Sequence, residues 1–381
     1  MSEQRVAVIG LGFVGRAHVE AIRRLGIPIQ GVMDVSSEVG EKIGKSLGLE
    51  RVYRSVEEII NDTSVSVVHI CTPNYLHYEM ARALIEGGKH VICEKPLALT
   101  SQEGAELVKR IKDKQRCGAV NYNLRFYPLC QEARALVEKG VIGEPRLIHG
   151  SYLQDWLFYP TDWNWRLDPA LGGELRAVAD IGTHWMDLMM WVTQTSIESV
   201  CADLVTVLPT RRKPRREIET FISKIEAIQE FDEVEVHTED YAAILLRFNN
   251  RAHGVFTVSQ VSAGRKNRLW FEIDGSEGSL SWDSENPNEL WIGHRNKPNE
   301  YIIKDPALMQ EKARKYAAYP GGHAEGYPDT FGQLFREFYT YVSKGEFDVP
   351  CPFPTFEDGW RELVLCEAIH RSAIEARWVN V

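Results

Sequence analysis

The stretch Val91-Ile92-Cys93-Glu94-Lys95-Pro96-Leu97 joins an apolar run directly to a carboxylate, an amine and a proline. The apolar half predicts the end of a buried strand. Pro96 fixes its own φ and restricts Lys95 to extended geometry, so the amine is aimed in one direction. A lysine at the carboxyl end of a parallel strand lies where open α/β sheets bind ligands. The alternative is a surface turn with two neighbouring charges, and the surrounding sequence argues against it.

A second ligand signal lies at the start of the chain. The short apolar strand 5–9 runs into Gly10-Leu11-Gly12-Phe13-Val14-Gly15, a helical pattern follows, and the next strand ends at Asp34, 19 residues after Gly15. In this context the glycines let backbone approach a pyrophosphate, whose charge the helix N-terminus favours. Asp34 is suited to accept hydrogen bonds from ribose hydroxyls and to repel a 2′-phosphate. The loop therefore predicts NAD as cofactor and disfavours NADP.

Alternating strands and helices continue through the first 120 residues. Helices are predicted at 36–47, 55–61, 75–87 and 101–114, and further strands at 29–33, 65–71 and 117–120. Such alternation is typical of a parallel, doubly wound sheet. We therefore expect a nucleotide-binding α/β domain over residues 1–123.

After Asn123 the pattern changes to one dominated by strands. A helix at 127–139 is followed by predicted strands at 147–154, 197–207, 234–248, 252–262, 267–274, 278–283 and 289–292, and then by helices at 328–344 and 355–376. This pattern predicts a second α/β domain over residues 124–381 with a mainly antiparallel sheet. The helix 355–376 is a candidate for packing back on the first domain.

Composition limits the classes of protein to consider. The 381 residues carry a formal net charge of −10, which argues against a general nucleic-acid binder. The sequence shows neither a signal-peptide pattern nor an apolar run of membrane-spanning length, so we expect no membrane partner. Seven scattered cysteines without a CxxC pair favour buried thiols in a reducing cytoplasm over disulfides or a metal site.

Two stretches have competing interpretations. The basic run 210–216 is predicted to be a solvated loop, because proline and like charges resist packing. The aromatic loop 156–166 contains Trp156, Trp163 and Trp165, which either stack on the apolar face of a sugar or belong to a core or an interface.

The segment Ala179-Asp180-Ile181-Gly182-Thr183-His184-Trp185 carries a second catalytic pattern. Asp180 and His184 are four residues apart, so on a helix they share a face. Histidine titrates near neutrality and suits proton transfer, and a carboxylate one turn away can orient it. On its own, such a pair could be a helix start followed by a core histidine. In a chain that also carries a dinucleotide-binding pattern and an oriented lysine, a catalytic pair is the favoured interpretation.

These motifs, taken in order, resemble those of the Gfo/Idh/MocA family of sugar and inositol dehydrogenases over nearly the whole chain. They are Gly10-x-Gly12-x-x-Gly15, Cys71-Thr72-Pro73-Asn74, Glu94-Lys95-Pro96, Trp165-Arg166 and Asp180-x-Gly182-x-His184. The resemblance implies a Rossmann domain, a C-terminal domain with a large open sheet for substrate binding and oligomerisation, and a homodimer or homotetramer. It also implies a cis peptide before Pro96. The segment 322–327 is similar to one that lines the sugar site in pyranose-oxidising members, such as levoglucosan-type dehydrogenases.

The resemblance also implies roles for individual residues. Catalysis is assigned to Lys95 and His184 at the reacting hydroxyl, with Asp180 supporting them. The predicted cofactor contacts are Gly10, Gly12, Phe13, Val14, Asp34, Cys71, Thr72, Pro73, Asn74, His77, Glu94, Lys95, Trp165 and Arg166. The predicted substrate contacts are Lys95, Gln154, Arg166, Asp180, His184 and His323.

The expected reaction is reversible oxidation of a ring secondary alcohol on a sugar or cyclitol, with hydride passing to NAD. His184 is the first candidate for the base and Lys95 orients the oxygen, although the sequence does not decide which of the two takes the proton. Two alternatives remain. One is an NAD-dependent glycosidase of the same family, and the other is a non-enzymatic NAD-binding regulator, against which Lys95, Asp180 and His184 argue.

Overall fold

A computed structural model describes residues 4–49, 51–215, 230–347 and 349–381. The chain divides into two compact units, the first formed by Met1–Asn123 with Pro328–Leu363 and the second by Leu124–Tyr327 with Val364–Val381. The sequence pattern assigns residues 124–381 to the second domain, with the helix 355–376 as a candidate for packing back on the first. In the structure Pro328–Leu363, which includes the beginning of that helix, groups with the first unit. In the part of the chain that is described, no helix combines the length and the apolar character needed to cross a bilayer.

Strands and helices alternate at the start of the chain, and strands dominate its middle. The strands of the described residues are β1 Arg5–Ile9, β2 Ile29–Met33, β3 Val65–Ile70, β4 His90–Cys93, β5 Gly118–Val120, β6 Pro145–Leu153, β7 Ile197–Val205, β8 Thr210–Pro214, β9 Phe231–Glu235, β10 Tyr241–Phe248, β11 His253–Ser259, β12 Arg268–Gly275, β13 Ser279–Asp283, β14 Glu289–Gly293, β15 Glu300–Ile303 and β16 Val379–Asn380. The helices are α1 Phe13–Arg24, α2 Ser37–Ser46, α3 Val56–Asn61, α4 His77–Glu86, α5 Ser101–Asp113, α6 Pro128–Glu138, α7 Pro169–Gly172, α8 Thr183–Thr193, α9 Glu311–Arg314, α10 Tyr327–Lys344 and α11 Phe356–Glu375.

The first unit contains the parallel sheet that the alternating pattern predicts. Its strand order is β2-β1-β3-β4-β5, and all four pairings are parallel. Because parallel strands end at the same edge of a sheet, the residues after β1, β3 and β4 lie at one edge: Gly10, Cys71 and Glu94. This edge is where doubly wound sheets bind ligands.

The helix α10 and the start of α11 belong to the first unit because their apolar faces pack on it. The Tyr339 hydroxyl lies 2.6 Å from His69 Nε2, and Asn123 donates a hydrogen bond of 2.7 Å to Thr330. Gly359 of α11 lies against Val120 so closely that a Cβ there would be 2.6 Å from Val120 Cγ2. These contacts join residues more than 200 positions apart, which is why the sequence order did not reveal them.

The second unit is built on a nine-stranded sheet of order β15-β14-β13-β12-β6-β11-β10-β7-β16. Only β6 and β11 pair in parallel in this described sheet, so the prediction of a mainly antiparallel sheet is confirmed. The largely buried helix α8 packs on it through Trp185, whose ring stacks on Phe256 at 4.5 Å between centroids. Trp185 Nε1 donates to the carbonyl of Trp270, and Gly150 makes room, since a Cβ there would be 2.1 Å from that oxygen.

The prediction of a solvated loop for the basic run was wrong over its described part. Residues 210–214 form β8, which pairs with β9, while Arg216 lies outside the described residues. Arg211 is completely buried and donates to the Asp240 carboxylate at 2.7 Å and to the carbonyl of Leu157 at 2.9 Å. The buried negative charge of Asp240 compensates the arginine, which a pattern of like charges along the sequence does not show.

The predicted strand 234–248 is two strands, β9 and β10, separated by an inward turn. Glu239 in this turn accepts hydrogen bonds from the backbone N–H groups of Arg176 and Val178 at 2.8–3.0 Å. Asp240 forms a buried ion pair with the Arg176 guanidinium. The strand is interrupted because these two carboxylates anchor the segment that leads into α8.

Candidate active site

The glycine-rich loop at the carboxyl end of β1 is shaped by two close contacts and one open position. Gly10 has φ +87°, and a Cβ there would be 2.6 Å from the Cys71 carbonyl oxygen, while one at Gly15 would be 1.9 Å from the Gly10 oxygen. A Cβ at Gly12, the N-cap residue of α1, would meet nothing within 4 Å. The loop is therefore closely packed against backbone at Gly10 and Gly15 and open at Gly12. This open position beside a helix N-terminus fits the approach of a pyrophosphate.

Asp34 holds this loop in place as well as facing it. Its Oδ2 accepts the Leu11 N–H at 2.6 Å and its Oδ1 accepts the Val35 N–H at 2.8 Å. A carboxylate has about four lone-pair sites, so both oxygens retain capacity for ribose hydroxyls. The loop and Asp34 thus fit the dinucleotide that the sequence predicts.

His77 connects two of the loops at the same sheet edge. It is fully buried rather than on the helix surface, and its ring nitrogens lie 2.7 Å from the Pro96 oxygen and 2.9 Å from the Thr72 oxygen. Pro73 and Asn74 follow Thr72 into a short 3₁₀ turn, Asn74–Leu76, that leads into α4. His77 therefore fixes the shape of these loops, and its direct contact with the cofactor stays a prediction.

Glu94 and Lys95 follow β4, and the Lys95–Pro96 peptide is cis, as the resemblance implied. Glu94 is buried, whereas Lys95 is partly exposed. Burial by itself would raise the pKa of Glu94, but hydrogen bonds from His18 and Asn121 and the charge of Lys95 lower that pKa to about 2. A permanent negative charge therefore lies beside the predicted catalytic lysine.

In the second unit, Asp180 lies in a π-helical turn, Val178–Gly182, that passes directly into α8. The sequence predicts an ordinary helix at this point. Asp180 Oδ1 is 3.1 Å from Arg166 Nε, and Asp180 Oδ2 accepts a hydrogen bond of 2.8 Å from Gln260 Nε2. Such turns are frequent at functional sites, and this one presents the carboxylate one turn ahead of His184.

Arg166 links Asp180 to the aromatic loop. Its guanidinium carbon lies 4.3 Å from the centre of the Trp165 ring, a cation–π distance. The structure thus brings together the Trp165-Arg166 motif and Asp180, which the sequence predicted as parts of two separate motifs. Trp156, by contrast, is a buried member of a small apolar cluster with Leu157.

Two site-supporting residues had no signal in the sequence. Gln260 and Arg176 are buried, and Arg176 Nη1 donates to Gln260 Oε1 at 2.9 Å. Gln260 directly follows β11 and Arg176 precedes the π turn, so they meet only through the fold. Gln260 donates to the Asp180 carboxylate, and Arg176 in turn donates to the Gln260 amide oxygen.

The remaining predicted substrate residues of this unit differ in their surroundings. The Tyr152 ring lies 6.3 Å from that of buried His184, and the Tyr152 hydroxyl shares Asn267 Oδ1 with Gln154 Nε2, at 2.8 and 2.7 Å. His323 is exposed, with Nδ1 3.3 Å from the Gly321 oxygen, and no described contact joins it to this group. Tyr152 and Asn267, which the sequence did not indicate, are therefore further candidates for the site.

Comparison with known proteins agrees with this geometry. Residues 4–122 match the oxidoreductase family with an NAD-binding Rossmann fold, and residues 130–281 match the GFO/IDH/MocA C-terminal domain. Levoglucosan dehydrogenase of Pseudarthrobacter phenanthrenivorans is 30% identical, with 100% of this chain and 99% of that protein covered. Myo-inositol 2-dehydrogenase of Thermotoga maritima is 26% identical over 99% of this chain and 98% of its own length.

A solved structure supports the same relationship. Levoglucosan dehydrogenase in complex with NADH and levoglucosan superposes with a TM-score of 0.87, at 29% identity and with 99% of each chain covered. Both halves of the chain match the same family, and the glycine loop with Asp34 fits the nucleotide. The chain therefore belongs to the Gfo/Idh/MocA family and is one of its NAD-dependent oxidoreductases.

Proposed function

We propose that the protein oxidises a secondary hydroxyl on the ring of a sugar, sugar derivative or cyclitol to a ketone, reversibly and with NAD. Relatives named for levoglucosan and myo-inositol support this substrate class. The observation that carries the proposal is the Asp180 carboxylate, held between Arg166 and Gln260 one turn before His184. Such a pair suits removal of a hydroxyl proton.

In this proposal each side chain has a separate task. NAD, when bound, supplies the hydride acceptor. His184 takes the hydroxyl proton and Asp180 orients its ring, while Lys95 orients the substrate oxygen and stabilises its developing negative charge. Gln154, Arg166 and His323 are the proposed ligands of the other hydroxyls.

The test is a panel of pyranoses, anhydrosugars and inositols with NAD, followed by NADH absorbance. Accumulation of NADH with one of them, together with a ketone product identified by mass spectrometry, is the expected result. Failure of the whole panel would contradict the proposal. Release of nitrophenol from nitrophenyl glycosides with catalytic NAD and no net NADH would instead favour the glycosidase.

We also propose a cytoplasmic homodimer or homotetramer. The cysteine pattern motivates the location, and the resemblance motivates the assembly. All seven cysteines are free thiols, in agreement with a reducing compartment. Light scattering of the purified protein gives the assembly directly, and a monomeric mass would contradict it.

A further inference from the structure

A line of buried polar side chains in the first unit ends at Glu94. The Tyr339 hydroxyl lies 2.6 Å from His69 Nε2, the Nδ1 atoms of His69 and His18 are 2.8 Å apart, and His18 Nε2 is 3.0 Å from Glu94 Oε1. Tyr339, His69 and His18 are completely buried. Asn121 donates to the same Glu94 oxygen at 2.5 Å. The proposed chemistry uses neither histidine.

Aromatic rings enclose the two histidines. Phe335 meets His18 at 4.8 Å and His69 at 4.7 Å between ring centres, and Phe331 meets His18 at 5.4 Å, all edge to face. Such surroundings have a low dielectric, in which a satisfied hydrogen bond is strong and a missing one is costly. The line is therefore a fixed network rather than a set of adaptable contacts.

The positions of the protons follow from the partners. A carboxylate only accepts, so His18 carries a proton on Nε2 and donates it to Glu94. Burial lowers the pKa of His69 well below its usual value, and His18 lowers it further, so His69 is neutral. One hydrogen bond joins the Nδ1 atoms of His18 and His69, and a second joins His69 Nε2 to the Tyr339 hydroxyl.

Glu94 in turn contacts Lys95. With Oε1 occupied by His18 and Asn121, Oε2 accepts the backbone N–H of Lys95 at 3.3 Å. We propose that His18 is a positioning residue that acts through Glu94, keeping the carboxylate ionised and fixed beside Lys95, while His69 and Tyr339 hold the His18 ring. This inference rests on the proposed function, because it takes Lys95 as a catalytic residue.

The pH dependence of Glu94 provides a specific test. Among the described titratable groups, His18 and Lys95 lower the pKa of Glu94. The charge of Glu94 in turn acts on the pKa values of Cys71, Cys93 and His77. Burial raises the pKa of both thiols and lowers the pKa of His77, so these three are neutral near pH 7. The hydrogen bond from His18 is the largest of the effects that lower the pKa of Glu94. When this donor is lost, the effect of burial prevails and the pKa of Glu94 rises.

The experiment compares His18→Leu, which removes the donor, with His18→Gln, whose amide can still donate to Glu94. We expect His18→Leu to add a second acid limb to the pH profile of kcat/KM, on the acid side of the His184 limb, so that activity there falls about a hundred-fold per pH unit instead of the ten-fold of the wild type. His18→Gln should restore the wild-type profile. The control is His90→Gln at the start of β4, the strand that Glu94 follows; the His90 ring accepts the Cys117 N–H, and the profile of this variant should not change. Identical profiles for wild type and His18→Leu would overturn the proposal.

A second readout does not depend on activity. Proton-detected NMR of protein isotope-labelled at the histidine ring nitrogens distinguishes the two tautomers, and the His18→Gln spectrum assigns His18. A proton on His18 Nε2 is expected, and a ring protonated on Nδ1 alone would overturn the network. If Lys95→Ala retained full turnover while this tautomer was found, the proposed function would be wrong although the network was correct.

Discussion

Gln260 and Asp180 are joined by a 2.8 Å hydrogen bond, while the oxygen of the same amide accepts from Arg176 at 2.9 Å. The amide is thus fixed in one orientation, with nitrogen towards the carboxylate and oxygen towards the guanidinium. Arg176 is itself held by Asp240 and Thr238. The position of Asp180 therefore depends on a buried chain of polar groups anchored far from it in sequence.

Replacing Gln260 by Leu removes both bonds. We expect kcat to fall about ten-fold, because Asp180 loses a group that holds it, and the free energy of unfolding to fall by about 1–3 kcal/mol, because the buried Arg176 loses an acceptor. Turnover and urea denaturation measure the two effects. The control is Gln30→Leu on β2, where the amide accepts from the exposed Arg5, and neither quantity should change there. Unchanged turnover in Gln260→Leu would show that Asp180 needs no such support.

The catalytic assignment predicts different effects for two substitutions. Lys95→Ala should lower kcat by about 10² or more with NAD binding within a few-fold, since its interaction is strongest in the transition state. His184→Ala should lower kcat by about 10²–10⁴ and remove a limb near neutrality from the pH profile. Steady-state kinetics with the best sugar of the panel and NAD titration by fluorescence give these values. Near wild-type turnover in either variant would remove that residue from the mechanism.

Cofactor choice depends on the charge of Asp34. We expect kcat/KM with NAD to exceed that with NADP by ten-fold or more, about 1.4 kcal/mol. Asp34→Asn should narrow this gap, because the amide oxygen still accepts the Leu11 N–H that holds the loop while the charge is lost. Asp34→Ala loses the hydrogen bond to the Leu11 N–H as well as the charge. Comparing it with Asp34→Asn therefore separates the contribution of the loop's hydrogen bond to cofactor choice from that of the charge. Equal efficiency of the wild-type protein with both cofactors would contradict the prediction.

Stability depends strongly on Arg211. Arg211→Met leaves the buried Asp240 with one arginine instead of two, and we expect a loss of about 3–5 kcal/mol of unfolding free energy. Arg212→Met is the matched control on the next residue of β8, where the side chain is exposed over Phe231 and the change should stay within about 0.5 kcal/mol. Chemical denaturation measures the free energy of unfolding of both variants. Equal decreases would show that the buried ion pair of Arg211 and Asp240 stabilises the protein no more than an exposed arginine does.

Most of the first unit could be predicted because its signals are local. The glycine loop, the acid at the end of β2 and the period of the strands each lie within a short window, and β1 to β5 appear where the pattern places them. The same holds for β11 to β14, with alternating apolar positions in β12 and β13, whereas β10 was predicted only as part of a longer strand. Edge strands such as β15 and β16 are short and largely polar or exposed, so no such pattern announced them.

The parts that escaped prediction depend on pairs of residues distant in sequence. The local sequence predicts that Arg211 is solvated, because the compensating charge of Asp240 is distant in sequence. It also predicts a strand at Glu239, because the hydrogen bond from the Arg176 backbone to this carboxylate is not visible in the local pattern. Gln260 carries no motif at all. For the site, residue types in motifs predicted Lys95, Asp180 and His184, whereas the groups that hold Glu94 and Asp180 could be found only from the fold.

The discontinuous make-up of the first unit has a consequence for synthesis of the chain. The segment that completes it, Pro328–Leu363, is translated long after Asn123. At a translation rate of roughly 5–20 residues per second, the 240 residues from Asn123 to Leu363 take roughly 12–48 s. During that time His69 and Val120 lack the contacts that α10 and α11 make with them in the finished protein. N-terminal domains commonly fold first on the ribosome, but this nucleotide-binding unit cannot complete its folding until both helices have been synthesised.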